Sequence, residues 1–193
     1  AVINLWSEYR YKGYKYLKKA KRRELYANLE RIALDFESFY KSLAKDDAGA
    51  ITTIHQVASS ATITKDKATL LHAIMQYFAP ERGVYEYRAS SSFGLLLQDP
   101  ANAKLVGDCN QIVTLYVYIY SRYRDVRDLQ IRLLPEHVAL YCDGVDIEAT
   151  NATFQDYAET KGSQLQPIEE IVSVNLLDTT DSHFAQHDVR PED

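Results

Sequence analysis

From Leu25 through Leu29, Ile32, Phe36, the pair Phe39 and Tyr40, and Leu43, apolar and aromatic residues recur every three or four positions, with Leu17 eight positions before Leu25. That spacing gathers them on one helical face and predicts an amphipathic helix over 8–44, broken or bent before Leu25. Asp46, Asp47 and Gly49 mark a turn, a second helix is expected over 50–58, and Thr64 opens a third that runs to Phe78. Pro80 and Gly83 end it. Residues 1–84 therefore read as a helical region.

The pattern changes after Tyr85. Residues 85–107 are loosely organised around Ser90, Ser91, Ser92, Gly94 and the Gln98-Asp99-Pro100 turn. The uninterrupted apolar run from Asn110 to Tyr120 reads as a buried helix because Gly107-Asp108 opens it, although its Ile, Val and Tyr are also good strand formers. Three β-prone stretches follow, 128–134, 136–142 and 145–149, divided by Pro135 and by the hairpin signal Asp143-Gly144. Helical patterning returns around 167–177, before a polar tail. The expected fold class is α+β in one domain. It comprises a helical region over 1–84, a core over 85–155 with a central helix on a small antiparallel sheet, and a C-terminal helix and tail over 156–193.

Composition adds limits. With 193 residues, 46% of them hydrophobic, the chain can bury a substantial core. No apolar run approaches the roughly 18–20 residues of a membrane-spanning helix. Two cysteines are too few for a disulfide scaffold and lie far from any His at zinc-ligand spacing, so a reducing, cytoplasmic setting is expected. The start at Ala1 and the ending Arg190-Pro191-Glu192-Asp193 suit a trimmed or processed piece of a longer chain.

The net charge of −5 conceals a basic stretch, residues 8–24, where Arg10, Lys12, Lys15, Lys18, Lys19, Lys21, Arg22 and Arg23 interleave with tyrosines. Contact with nucleic acid or an anionic membrane is one use for it; a solvated helix face is the favoured one, given the acidic remainder. His183 and His187, four apart and flanked by Asp181 and Asp188, have helical ligand spacing but no third ligand in context, and no metal or cofactor is expected.

Two segments carry chemistry. Cys109 follows Gly107-Asp108 at the start of the central helix, where unpaired backbone N–H groups and the helix dipole favour an anion. The same groups suit a developing oxyanion. His137 begins an alternating strand that returns through Asp143-Gly144 to Glu148. In an antiparallel hairpin the start of one strand lies near the end of the other, which brings His137 and Glu148 together. Asp146, two residues earlier and on the same face, competes for that role. Gln98 and Asn102 are weak candidates for an upstream oxyanion donor.

Gly107-Asp108-Cys109, His137-Val138-Ala139-Leu140 and Glu148-Ala149-Thr150, in that order, resemble the transglutaminase-like superfamily of papain-related folds. The resemblance covers about Phe93 to Phe154 and extends closely to bacterial members of unassigned substrate. It implies a Cys-bearing helix packed on an antiparallel sheet, and a Cys109-His137-Glu148 triad performing acyl transfer on a peptide, protein or amide. Family members often carry Asp where Glu148 stands, which keeps Asp146 in contention. Hydrolysis is the expected outcome. The alternative is a non-catalytic module that holds a partner in the cleft or on the basic N-terminal helix.

Overall fold

The computed structural model describes residues 19–43, 47–89 and 93–175. Helix α1 (Lys19–Ser42) buries Leu25, Leu29, Ile32, Ala33 and Phe36, the stripe that the sequence spacing predicts. The expected stretch over 8–18, with most of the basic residues, lies outside the described residues, as do His183 and His187. Helix α2 (Asp47–Val57) and helix α3 (Lys65–Phe78) follow. Thr64 occupies the α3 N-cap with an extended backbone, but its side chain makes no capping bond. Phe36, Tyr77 and Phe78 meet edge to face between α1 and α3.

The loosely patterned stretch contains more order than its sequence suggests. Strand β1 (Tyr85–Tyr87) runs parallel to β2 (Leu105–Gly107), and the short helix α4 (Phe93–Leu96) lies between them in the chain. Each strand is three residues long, too short to establish an alternation. Helix α5 (Cys109–Ser121) is the central helix, with Ile112, Val113, Tyr116, Ile119 and Tyr120 buried. It packs against α3 on one side and the sheet on the other.

That sheet is antiparallel and five-stranded, in the order β6-β5-β4-β3-β7. Its strands are β3 (Gln130–Leu134), β4 (His137–Cys142), β5 (Val145–Glu148), β6 (Thr153–Gln155) and β7 (Gln164–Pro167). The fold is therefore mixed α and β, as expected. The sequence pattern indicates β3 to β5 and misses β6 and β7, which are short edge strands with little apolar content. Gln164–Pro167 pairs with β3 ahead of the stretch expected to be helical, and helix follows directly after Pro167 through the last described residues, as the patterning over 167–177 predicts.

The hairpin between β4 and β5 turns at Asp143 and Gly144, with φ of 45° and 101°. Both lie in the left-handed region that a two-residue hairpin turn requires. A Cβ on Gly144 would stand 2.7 Å from the Ala61 Cα. The closeness has a purpose. The Asp143 carbonyl accepts from the Thr62 N–H at 2.8 Å, and the Lys67 ammonium bridges Asp143 at 2.8 Å and Asp128 at 3.0 Å. The helical region thus grips the closed end of the hairpin.

Among the described residues no helix is long and apolar enough to cross a membrane.

Candidate active site

Helix α5 begins with a reciprocal cap. The Asp108 carboxylate accepts from the Gln111 N–H at 3.0 Å, and the Gln111 side-chain oxygen accepts from the Asp108 N–H at 3.3 Å. Such a box satisfies two helix-terminal donors reciprocally. The N–H groups of Cys109 and Asn110, at the first two helical positions, have no carbonyl partner within the helix. Gly107 makes the box possible, since a Cβ there would approach the Gln111 side-chain oxygen to 2.6 Å and displace it. The Gly-Asp-Cys segment thereby presents a half-buried thiol at a helix start.

His137 opens β4, immediately after the turn Pro135-Glu136. Glu136 holds φ of 57°, left-handed backbone that suits Gly and costs a side-chain-bearing residue on the order of 1 kcal/mol. The hairpin register pairs Leu140 with Ile147 and Tyr141 with Asp146. Extending it sets Glu148 opposite Ala139, one diagonal step from His137. Glu148 is the carboxylate that reaches the ring: its Oε2 lies 2.6 Å from His137 Nε2. Nδ1 is then the nitrogen left for the Cys109 thiol.

Those two contacts raise the His137 pKa from its ordinary 6.5 to about 10, the hydrogen bond with Cys109 first and that with Glu148 second. Glu148 is itself 3% exposed, not the solvated strand end that an isolated terminal Glu suggests. Burial would raise its pKa, yet the bonds from His137 and Thr150 outweigh this and hold it below 4.5. Thr150 donates to Oε1 through its hydroxyl at 2.6 Å and its backbone N–H at 3.2 Å. Tyr157 donates to Oε2 at 3.1 Å.

A carboxyl whose folded pKa is depressed stabilises the fold above its unfolded pKa and loses that contribution as pH falls through the folded value. The wild-type urea midpoint should therefore fall below pH 4.5 more steeply than that of Glu148→Gln. Parallel acid profiles would contradict the assignment.

The competing carboxylate has another task. Asp146, 1% exposed, receives the Arg132 guanidinium at 2.8 Å and 3.4 Å and the Tyr157 N–H at 2.8 Å. Arg132 pairs with Ala139 on the neighbouring strand, and its guanidinium lies over the Tyr141 ring, 5.1 Å from the centroid. Gln98 and Asn102 are both engaged within their own loop, Gln98 donating to the Gly94 carbonyl and Asn102 to Asp99. Cys142 is buried, and burial pushes its thiol up to about 12. Both cysteines are free. No group of three or more His, Cys, Asp or Glu residues suited to a metal ion occurs among the described residues.

Tyr157 is the site residue that the sequence does not indicate. It stands in the irregular link after β6, where a lone Tyr next to Asp156 carries no periodic signal. Compared with family models, curated proteins and solved structures, the chain matches none.

Proposed function

We propose that the protein is a cysteine-dependent acyl-transfer enzyme with a transglutaminase-like core, acting as a peptidase or amidase. One observation carries this: a half-buried thiol at a helix start shares a hydrogen bond with an imidazole whose other nitrogen is held by a buried carboxylate. Structural histidines rarely need both partners. The binding-module alternative calls for a buried sulfur beyond reach of the ring; the half-buried Cys109 and its hydrogen bond to His137 favour the enzyme reading. A reducing, cytoplasmic setting belongs to the same proposal, since a thiol nucleophile works only in its reduced form.

His137 takes the Cys109 proton, giving a thiolate beside an imidazolium that Glu148 orients and stabilises. The thiolate attacks the acyl carbon, and the Cys109 and Asn110 N–H groups face the oxygen as it gains charge. The imidazolium passes its proton to the departing amine, leaving a thioester. Water, deprotonated by His137, then attacks the thioester. The acid leaves and the proton returns to the sulfur.

An activated acetyl ester tests the scheme. p-Nitrophenyl acetate should release a stoichiometric burst of nitrophenolate, with mass spectrometry finding the acetyl group on Cys109, and Cys109→Ala should give no burst. Acetylation of surface lysines alone, with Cys109 unmodified, would overturn the proposal in favour of a non-catalytic module.

A further inference from the structure

We propose that Tyr157 is a positioning residue of this site, its phenol sharing the Glu148 oxygen that faces the imidazole and so tempering the hold of the carboxylate on the His137 proton. The inference rests on the thiol-imidazole-carboxylate reading given above and adds a member to it. Glu148 receives four donors, divided unequally in kind. Both Thr150 donors go to Oε1, whereas the imidazole at 2.6 Å and the Tyr157 hydroxyl at 3.1 Å go to Oε2. Tyr157 thus draws on the same oxygen as the base.

Its placement is built, not incidental. The Tyr157 N–H donates to Asp146 Oδ2 at 2.8 Å, and Asp146 is held by Arg132. Arg132 also donates to Ser163 Oγ at 3.1 Å, at the far end of the same loop. Between these points the Thr160 N–H bonds the Tyr157 carbonyl and the Ser163 N–H bonds the Thr160 carbonyl. One buried ion pair therefore pins both ends of the loop over the polar face of β5. The acidic residue that competes with Glu148 in the sequence serves the site by fixing the residue that bonds Glu148.

The phenol remains a donor throughout any working pH range, since burial first and the Glu148 charge second push its pKa up to about 12. A donor on a carboxylate oxygen takes up part of its charge. Without it, that charge falls wholly on the imidazolium and stabilises it. A purely structural role would have the opposite sign, because a loosened loop would weaken the contact between Glu148 and the ring.

The experiment is a ring-nitrogen NMR titration of His137 in the full chain, wild type against Tyr157→Phe, with His137→Gln identifying the resonance among the five histidines. Rates of iodoacetamide labelling at Cys109 and Cys142 are measured on the same samples. The expected result is an imidazolium midpoint raised by about half a unit or more in Tyr157→Phe, a threefold or larger gain in proton affinity, with Cys109 still labelled faster than Cys142. An unchanged or lowered midpoint with that preference intact would overturn the role of Tyr157 alone. A wild-type His137 titrating at its ordinary value, with Cys109 labelled no faster than Cys142, would overturn the underlying reading as well.

Discussion

Alanine at position 137 should slow iodoacetamide labelling of Cys109 about tenfold or more at neutral pH, because the thiolate is the reactive form and loses the cation that stabilises it. The imidazolium persists to about pH 10 in the folded protein, so over the neutral range it offers the sulfur a positive partner. The variant offers none. Cys142 supplies the internal control: it is 1% exposed, and its labelling should be equally slow in both proteins. Equal rates at Cys109 with and without His137 would mean that the imidazole does not activate the thiol. Helix position alone would then account for whatever reactivity remains.

The second large effect concerns stability. Arg132→Met should destabilise the fold by about 3–5 kcal/mol, the cost of leaving a buried carboxylate without its cation. Arg132 is 6% exposed and Asp146 1%, so water cannot take the place of the guanidinium without opening the sheet face. Replacing both residues, as Arg132→Met with Asp146→Leu, should recover part of the loss, since no charge is then stranded. Urea midpoints of the two variants and the wild type provide the measurement. A single variant within about 1 kcal/mol of wild type would show that Asp146 reaches solvent or takes up a proton.

How much of this could be read from the chain depends on the length of each pattern. Leu25 to Phe36 and Ile112 to Tyr120 span several helical turns each, so periodicity reveals α1 and α5. Asp143-Gly144 reveals the hairpin because only a few residue pairs suit two successive left-handed conformations. Strands β1, β2 and β6 have three residues apiece and offer no repeat to detect.

The site shows the same division. Cys109 and His137 stand at element boundaries that the sequence marks, whereas the choice between Asp146 and Glu148 depends on a register and on an arginine fourteen residues upstream. Parity places both acids on one face and goes no further. The alternation of β5 suggests a polar face turned to water; instead the link carrying Tyr157 and Ser163 bonds across it, and all four residues of the strand are buried.

His137 and Glu148 are eleven residues apart, joined by a single tight turn, while Cys109 belongs to a different element and meets them only through packing of α5 on the sheet. In the language of chain folding, base and carboxylate come together by a short loop closure, and the nucleophile is added by long-range docking. The two halves therefore differ in what they need to exist. A hairpin that has formed without α5 seated against it already pairs acid and base, yet its thiol is an ordinary one. Reactivity at Cys109 is in this sense a gauge of native tertiary packing, switched on last as the fold completes and lost first as it loosens.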